Sequence, residues 1–79
     1  MKLIEAISLR IDELLDEKNM TQYRLGMESG VPAASISEIR HMKNRTTSMH
    51  IIYDIAQGFG MDLPEFFDSP LFRDGNITD

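Results

Sequence analysis

The sequence has few side chains that could take part in covalent chemistry. Asp12 and Asp16 lie four residues apart in the first segment, and two carboxylates at that spacing can support acid–base catalysis. We favour a solvated helix face for them, because no other reactive side chain converges on the pair. The chain has no cysteine and only two histidines, His41 and His50. We therefore expect no enzyme activity, no metal site and no other cofactor.

The charged residues are unevenly distributed along the chain. The net charge is −5 and the isoelectric point is about 4.8, values that by themselves argue against a nucleic-acid partner. Residues 21–50 nevertheless carry four basic side chains against two acidic ones, whereas residues 51–79 carry one basic against six acidic. One face of the molecule can thus be directed at an anion while the remaining charge keeps the protein soluble.

The apolar residues recur at spacings of three and four, which is typical of helices that bury one face. No strand-like alternation is present, and 79 residues suffice for one domain. We therefore predict an all-α domain of five short helices over residues 1–68, followed by a C-terminal tail over residues 69–79. The sequence contains neither a membrane-spanning segment nor a signal peptide, so we expect a cytoplasmic protein without a membrane partner.

Local start and stop signals divide the chain into its helices. Thr21 is a suitable N-cap for a helix over residues 22–29, and Gly30 is a suitable end for it. Pro32 suits the start of the next helix, which we predict over residues 33–40.

The later helices carry signals of the same kind. Thr47 or Ser48 is expected to cap a helix whose buried stripe includes Met49, and Gly58 is expected to help end it. Asp62, followed by a proline and a glutamate, opens the fifth helix.

The segment from Thr21 to Ile39 has the organisation of a helix-turn-helix. Gly26 lies inside the first of its two helices, where glycine costs about 0.5–1 kcal/mol relative to alanine, so we expect a second helix to cross over it. Val31 is expected to fill the turn, and Ile36 to hold the second helix against the first. In this arrangement the first helix braces the second, whose exposed face enters the major groove of DNA.

A longer ordered set of residues then supports a family resemblance that extends over roughly residues 1–67. The residues that carry it are Arg10-Ile11, Leu14-Leu15, Met20-Thr21-Gln22, Leu25-Gly26, Ser29-Gly30-Val31, Ile36-Ser37, Ile39, Ile52, Ile55-Ala56, Phe59-Gly60-Met61, Leu63 and Glu65-Phe66-Phe67. In this set the chain resembles the phage-repressor family of helix-turn-helix regulators, the Cro and XRE-type group. The resemblance implies a five-helix, lambda-repressor-like domain that binds double-stranded DNA sequence-specifically, usually as a homodimer.

The resemblance also implies three kinds of DNA contact. Gln22, at the start of the second helix, is expected to contact a phosphate. Base edges are expected to be reached from four positions of the third helix: Ala33, Ala34, Ser37 and Glu38. The DNA backbone is expected to run along four residues of the following loop: His41, Lys43, Asn44 and Arg45.

Three features depart from the family pattern. Pro32 stands where the family commonly has a capping serine, and Met42 stands where it usually has glycine. Met42 either continues the helix or takes a conformation that costs about 1 kcal/mol or more. The recognition helix is also poor in base-reading groups, because its alanines offer only methyl contacts. Ser37 can bond to several bases, and Glu38 can accept from cytosine N4 but otherwise repels phosphate.

Two hypotheses of function remain open at this point. The first is a DNA-binding transcriptional regulator without a small-molecule effector. The second is an acidic protein-interaction module with a helix-turn-helix core, such as an antirepressor or an antitoxin.

The segment between Phe66 and Phe72 also allows two predictions. Either it packs against the core of its own chain or it forms the contact of a dimer.

Overall fold

The computed structural model describes all residues from Met1 to Asp79 and contains five α-helices, one 3₁₀ turn and no strand. The all-α, five-helix prediction is therefore confirmed. The elements are α1 (Leu3–Glu17), α2 (Gln22–Ser29), α3 (Ala33–Arg40), α4 (Met49–Gly58), α5 (Leu63–Phe67) and a 3₁₀ turn (Pro70–Phe72). No helix is long and apolar enough to cross a membrane.

Side-chain caps set the beginnings of three helices. The hydroxyl of Thr21 accepts a hydrogen bond from the Arg24 backbone N–H at 3.1 Å, and that of Ser48 accepts one from Ile51 at 3.1 Å. At the start of α5, Asp62 and Glu65 accept hydrogen bonds from each other's backbone N–H groups, which forms a capping box. These contacts confirm the predicted caps and select Ser48 over Thr47.

The core is formed by the inward faces of all five helices. Ile11, Leu25, Ile36, Ile55 and Phe66 are fully buried and come from α1, α2, α3, α4 and α5, respectively. Around them α1 packs against α3, and α2 packs against both α3 and α4. This arrangement leaves the opposite side of α3 facing solvent.

Two residues of α4 differ from the sequence-based expectation. Met49 is largely exposed, because it lies in the first turn of α4, beyond the edge of the core. Gly58 is buried where α4 crosses α2, and a Cβ atom at this position would lie 2.7 Å from the Cβ of Ser29. Gly58 therefore permits a close helix crossing, in addition to standing at the end of its helix.

The residues predicted as a tail lie against the chain's own first helix. Ser69 is buried, and the ring of Phe72 packs edge-on against Phe67 with centroids 5.0 Å apart. The Asp79 carboxylate accepts a hydrogen bond from the backbone N–H of Leu3 at 3.0 Å, at the start of α1. Of the two predictions for this segment, the structure shows packing on its own core.

Arg10 is a buried charged residue that joins α1 to the end of α5. Its Nε donates to the Phe66 carbonyl oxygen at 2.7 Å, and its Nη2 donates to the Glu65 carbonyl oxygen at 3.0 Å. Its Nη1 forms an ion pair with Glu13 on α1. The Glu65 carbonyl also accepts from the Asp68 backbone N–H at 3.2 Å, but no backbone N–H reaches the Phe66 carbonyl. Arg10 therefore supplies the donor that this buried carbonyl needs.

Replacement of Arg10 by methionine should therefore destabilise the domain. We expect Arg10→Met to lower the free energy of unfolding by about 2–3 kcal/mol, because the buried Phe66 carbonyl loses a charged donor and is left without a partner. Chemical denaturation monitored by circular dichroism measures this. Arg24→Met is the matched control: the exposed pair of Arg24 with Glu28 contributes less than about 0.5 kcal/mol. Equal effects of the two changes would contradict the structural role assigned to Arg10.

Candidate nucleic-acid interface

The turn between α2 and α3 is closely packed. A Cβ atom on Gly26 would lie 3.2 Å from the Val31 carbonyl oxygen and 3.4 Å from the Ala33 nitrogen, so the backbone after the turn does pass over this glycine. Gly30 adopts a left-handed conformation with φ of +77°, and Val31 is buried in the turn. Pro32 precedes α3 and provides no side-chain cap. These features confirm the predicted helix-turn-helix.

One side of α3 packs on the core and the other faces solvent. Ile36 and Ile39 are buried. On the opposite side, Ala34, Glu38 and His41 are exposed, whereas Ala33 and Ser37 are half-buried. We refer to this accessible set as the α3 face: Ala33, Ala34, Ser37, Glu38 and His41.

The α3 face is partly organised by His41. Its Nδ1 lies 2.8 Å from the Ser37 carbonyl oxygen and 3.2 Å from the Ser37 hydroxyl oxygen. The carbonyl can only accept, so we assign the ring hydrogen to Nδ1. With this tautomer the Ser37 hydroxyl hydrogen and the His41 Nε2 are both left for an external partner.

Met42 ends α3 in the left-handed conformation, with φ of +53°. Its N–H donates to the Ile39 carbonyl at 3.0 Å, and the Lys43 N–H donates to the Glu38 carbonyl at 2.9 Å. These two bonds form a Schellman motif, in which glycine usually occupies the position of Met42. The helix therefore does not continue, and the chain reverses directly into the loop that carries Lys43, Asn44 and Arg45, which we name the basic loop.

The basic loop places uncompensated positive charge beside the α3 face. Lys43, Asn44 and Arg45 are all exposed, and neither Lys43 nor Arg45 forms an ion pair within the chain. The other two basic residues of this region are neutralised, Arg24 by Glu28 and Arg40 by Asp12. No group of three or more His, Asp or Glu side chains is placed to hold a metal ion.

Comparison with known families agrees with this geometry. A family model described as a Cro/C1-type helix-turn-helix DNA-binding domain matches residues 10–70, most of the chain. The chain belongs to this Cro/C1-type family. No curated protein and no solved structure matched the sequence significantly. Membership identifies DNA as the partner of this Cro/C1-type domain and confirms the resemblance found in the sequence.

The structure places all nine predicted site residues of the Cro/C1-type domain within reach of solvent. The α3 face and the basic loop adjoin each other through the turn at Met42. Gln22 is half-buried at the start of α2 and is connected to α3, because its Nε2 donates to the Ala33 carbonyl at 3.2 Å. The nine positions are therefore contiguous along α3 and its two neighbouring segments.

Two residues that contact this site were missed by sequence reasoning. Arg40 donates from Nη1 to the Gln22 side-chain oxygen at 3.0 Å and from Nε to Asp12 at 2.6 Å. Asp12 was interpreted as part of a solvated face, and Arg40 as one of several basic residues. Arg40 lies 28 residues from Asp12 and 18 residues from Gln22 in sequence, so no local pattern could reveal the pairing.

Met42 offers a direct test of the strained helix end. A left-handed conformation costs a residue with a side chain about 1–2 kcal/mol, and the Met42 side chain is half exposed. Glycine would remove this cost. The greater freedom of the unfolded chain with glycine would offset part of the gain, by about 0.4–1 kcal/mol. We therefore expect Met42→Gly to raise the free energy of unfolding by about 0.5–1 kcal/mol in chemical denaturation. Destabilisation would mean that the Met42 side chain contributes packing that outweighs the strain.

Proposed function

We propose that this Cro/C1-type domain is a sequence-specific regulator of transcription that binds double-stranded DNA in the cytoplasm. The observation that carries the proposal is the junction at Met42, where a solvent-facing side of α3 continues into a loop with two unpaired cations. We propose that the α3 face enters the major groove and that the basic loop follows the phosphates. The proposal includes no small-molecule effector and no enzymatic step.

Sequence selectivity is proposed to come from a small number of groups. Ser37 can donate its free hydroxyl hydrogen to a base edge, and Glu38 can accept from cytosine N4. Ala33 and Ala34 offer methyl contact with thymine. Because Glu38 repels phosphate wherever no donor faces it, its carboxylate penalises misplaced complexes as well as supporting a matched one.

We propose that two copies of the chain bind one two-fold symmetric site. A single α3 of eight residues covers only a few base pairs, and two such helices reach successive major grooves about 34 Å apart. Sedimentation of the protein with a duplex that carries its selected site should give two chains per duplex. One chain per duplex at saturation would contradict the dimer.

Backbone contacts are tested by the salt dependence of binding to a random duplex. Lys43→Ala and Arg45→Ala should each weaken binding to all sequences alike, and each should reduce the slope of log K against log salt by about one unit. Arg73→Ala, which removes a cation that pairs with Asp68 in the C-terminal segment, is the control and should leave the slope unchanged.

The same titration separates the two hypotheses of function. If the parent protein has no affinity for duplex DNA at low salt, the DNA-binding proposal is wrong and the protein-interaction module is favoured. If Lys43→Ala and Arg45→Ala both bind like the parent, the basic loop does not follow the phosphates.

Base contacts are tested by selection from a random duplex pool. We expect Ser37→Ala or Glu38→Ala to alter the preference at one position of each half-site by about 1–3 kcal/mol. Ser35→Ala is the control, since Ser35 is on the same helix but outside the α3 face. Unchanged preference profiles in both variants would place sequence reading in the basic loop or in DNA shape.

A further inference from the structure

Arg40, the last residue of α3, is held by two other helices. Its Nε donates to the Asp12 carboxylate of α1 at 2.6 Å, and its Nη1 donates to the Gln22 side-chain oxygen of α2 at 3.0 Å. Its carbonyl oxygen accepts a hydrogen bond from the Ser8 hydroxyl at 2.7 Å. Ser8 and Asp12 are one turn apart on α1, so together they fix both the backbone and the side chain of Arg40.

These contacts determine the orientation of the Gln22 carboxamide. Its oxygen faces the Arg40 guanidinium, and its nitrogen faces the Ala33 carbonyl at 3.2 Å. A flipped amide would place N–H groups against the guanidinium and an oxygen against the carbonyl, so both contacts would be lost. The nitrogen has two hydrogens and the Ala33 carbonyl takes one, which leaves one N–H for an external acceptor.

Gln22 and Arg40 also line an open polar cleft of about 370 Å³ between the end of α1 and the start of α2. Asp12 and Asp16 line the same cleft. The guanidinium of Arg40 is thus accessible from the cleft but is neutralised by the Asp12 carboxylate within the chain. Because Arg40 in this ion pair holds the Gln22 oxygen, the free N–H of Gln22 has a defined orientation.

We propose that Arg40 and Asp12 are positioning residues that act on DNA through Gln22. This inference rests on the proposed function, because it assigns the external acceptor to a phosphate of bound DNA. Asp12 orients Arg40, and Arg40 orients the Gln22 carboxamide. The remaining Gln22 N–H is therefore already oriented before it donates to the phosphate. A group ordered in advance loses less conformational freedom on binding.

Loss of the Asp12 carboxylate should change DNA affinity in the direction opposite to that expected for loss of an ordinary acidic side chain. Removal of an acidic side chain near a DNA-binding surface ordinarily strengthens binding, because it removes repulsion from phosphate. Asp12→Ala is expected to weaken binding instead, by about three- to tenfold, which is less than the loss of a whole charge-assisted hydrogen bond because the Gln22 donor remains and only its orientation is lost. Asp16→Ala is the matched control: it removes an equal charge from the same helix and the same cleft, yet Asp16 forms no ion pair. It should leave binding unchanged or slightly tighter.

A double-mutant cycle then shows whether the effect passes through Gln22. In a Gln22→Ala background, Asp12→Ala should cause no further weakening, because the group that it positions is already absent. Arg40→Lys provides a second route, since lysine keeps the charge but cannot make both contacts in the same planar geometry. It should weaken binding in the parent and not in the Gln22→Ala background. Circular dichroism of each variant verifies that it is folded.

Each alternative has its own signature in fluorescence-anisotropy titrations with a fixed duplex. If Asp12→Ala tightens binding as Asp16→Ala does, Arg40 contacts phosphate directly and the positioning role is wrong. If the effects of Asp12→Ala and Gln22→Ala are additive, Asp12 does not act through Gln22, which also overturns the inference. If Gln22→Ala weakens binding and the other changes do not, the proposed function stands and only this inference fails. If the parent does not bind duplex DNA, the proposed function fails first.

Discussion

The eight residues of α3 are too few to hold a helix in place by themselves, so its position depends on contacts at both of its ends. At the first end, the absence of a side chain on Gly26 lets the backbone of the turn approach α2. At the last end, Ser8 and Asp12 of α1 bind the backbone and the side chain of Arg40. The inward isoleucines of α3 then fix its rotation, and its outer face is left for a partner. The surface proposed to recognise DNA therefore depends on three helices, although most of its residues belong to one helix and one loop.

The uneven distribution of charge explains how an acidic protein can bind an anionic partner. With a net charge of −5, the domain as a whole is repelled by DNA. In the basic loop beside α3, Lys43 and Arg45 have no acidic partner and can attract phosphate. Elsewhere near α3, the cations of Arg24 and Arg40 are neutralised by acids of the same chain. If the proposed interface is correct, we expect this arrangement to lower non-specific affinity and to make binding depend on the orientation of the molecule.

Features that are set by residues close together in the chain could be predicted from the sequence. The bounds of α2 and α3, the caps at Thr21 and Asp62 and the close approach at Gly26 all agree with the structure. These features are encoded within a few residues of where they occur, and the ordered family motif predicted the Cro/C1-type family that the family model confirms. Of the two conformations that the sequence allows for Met42, the structure has the left-handed one.

The features that sequence reasoning missed depend on contacts between distant segments. Gly58 was assigned only a role at a helix end, whereas it also allows α4 to cross α2 near Ser29. Arg10 was recognised only as part of a family motif, and its partners at the end of α5 lie more than 50 residues away. Arg40 and Asp12 are similar cases. No periodicity or capping rule reports which carbonyl or carboxylate a long arginine side chain will reach, because that depends on how the helices pack.

The surface proposed to bind DNA can be mapped residue by residue with ¹⁵N-labelled protein and a duplex that carries the selected site. The account predicts that backbone amide shifts change on addition of the duplex along α3, in the basic loop and at Gln22. Tyr53 and Gln57 are exposed residues of α4, outside the proposed surface, and the shifts of their backbone amides should not change. The largest changes on α4 or in residues 69–79, with α3 unaffected, would show that this Cro/C1-type domain presents a different surface to DNA.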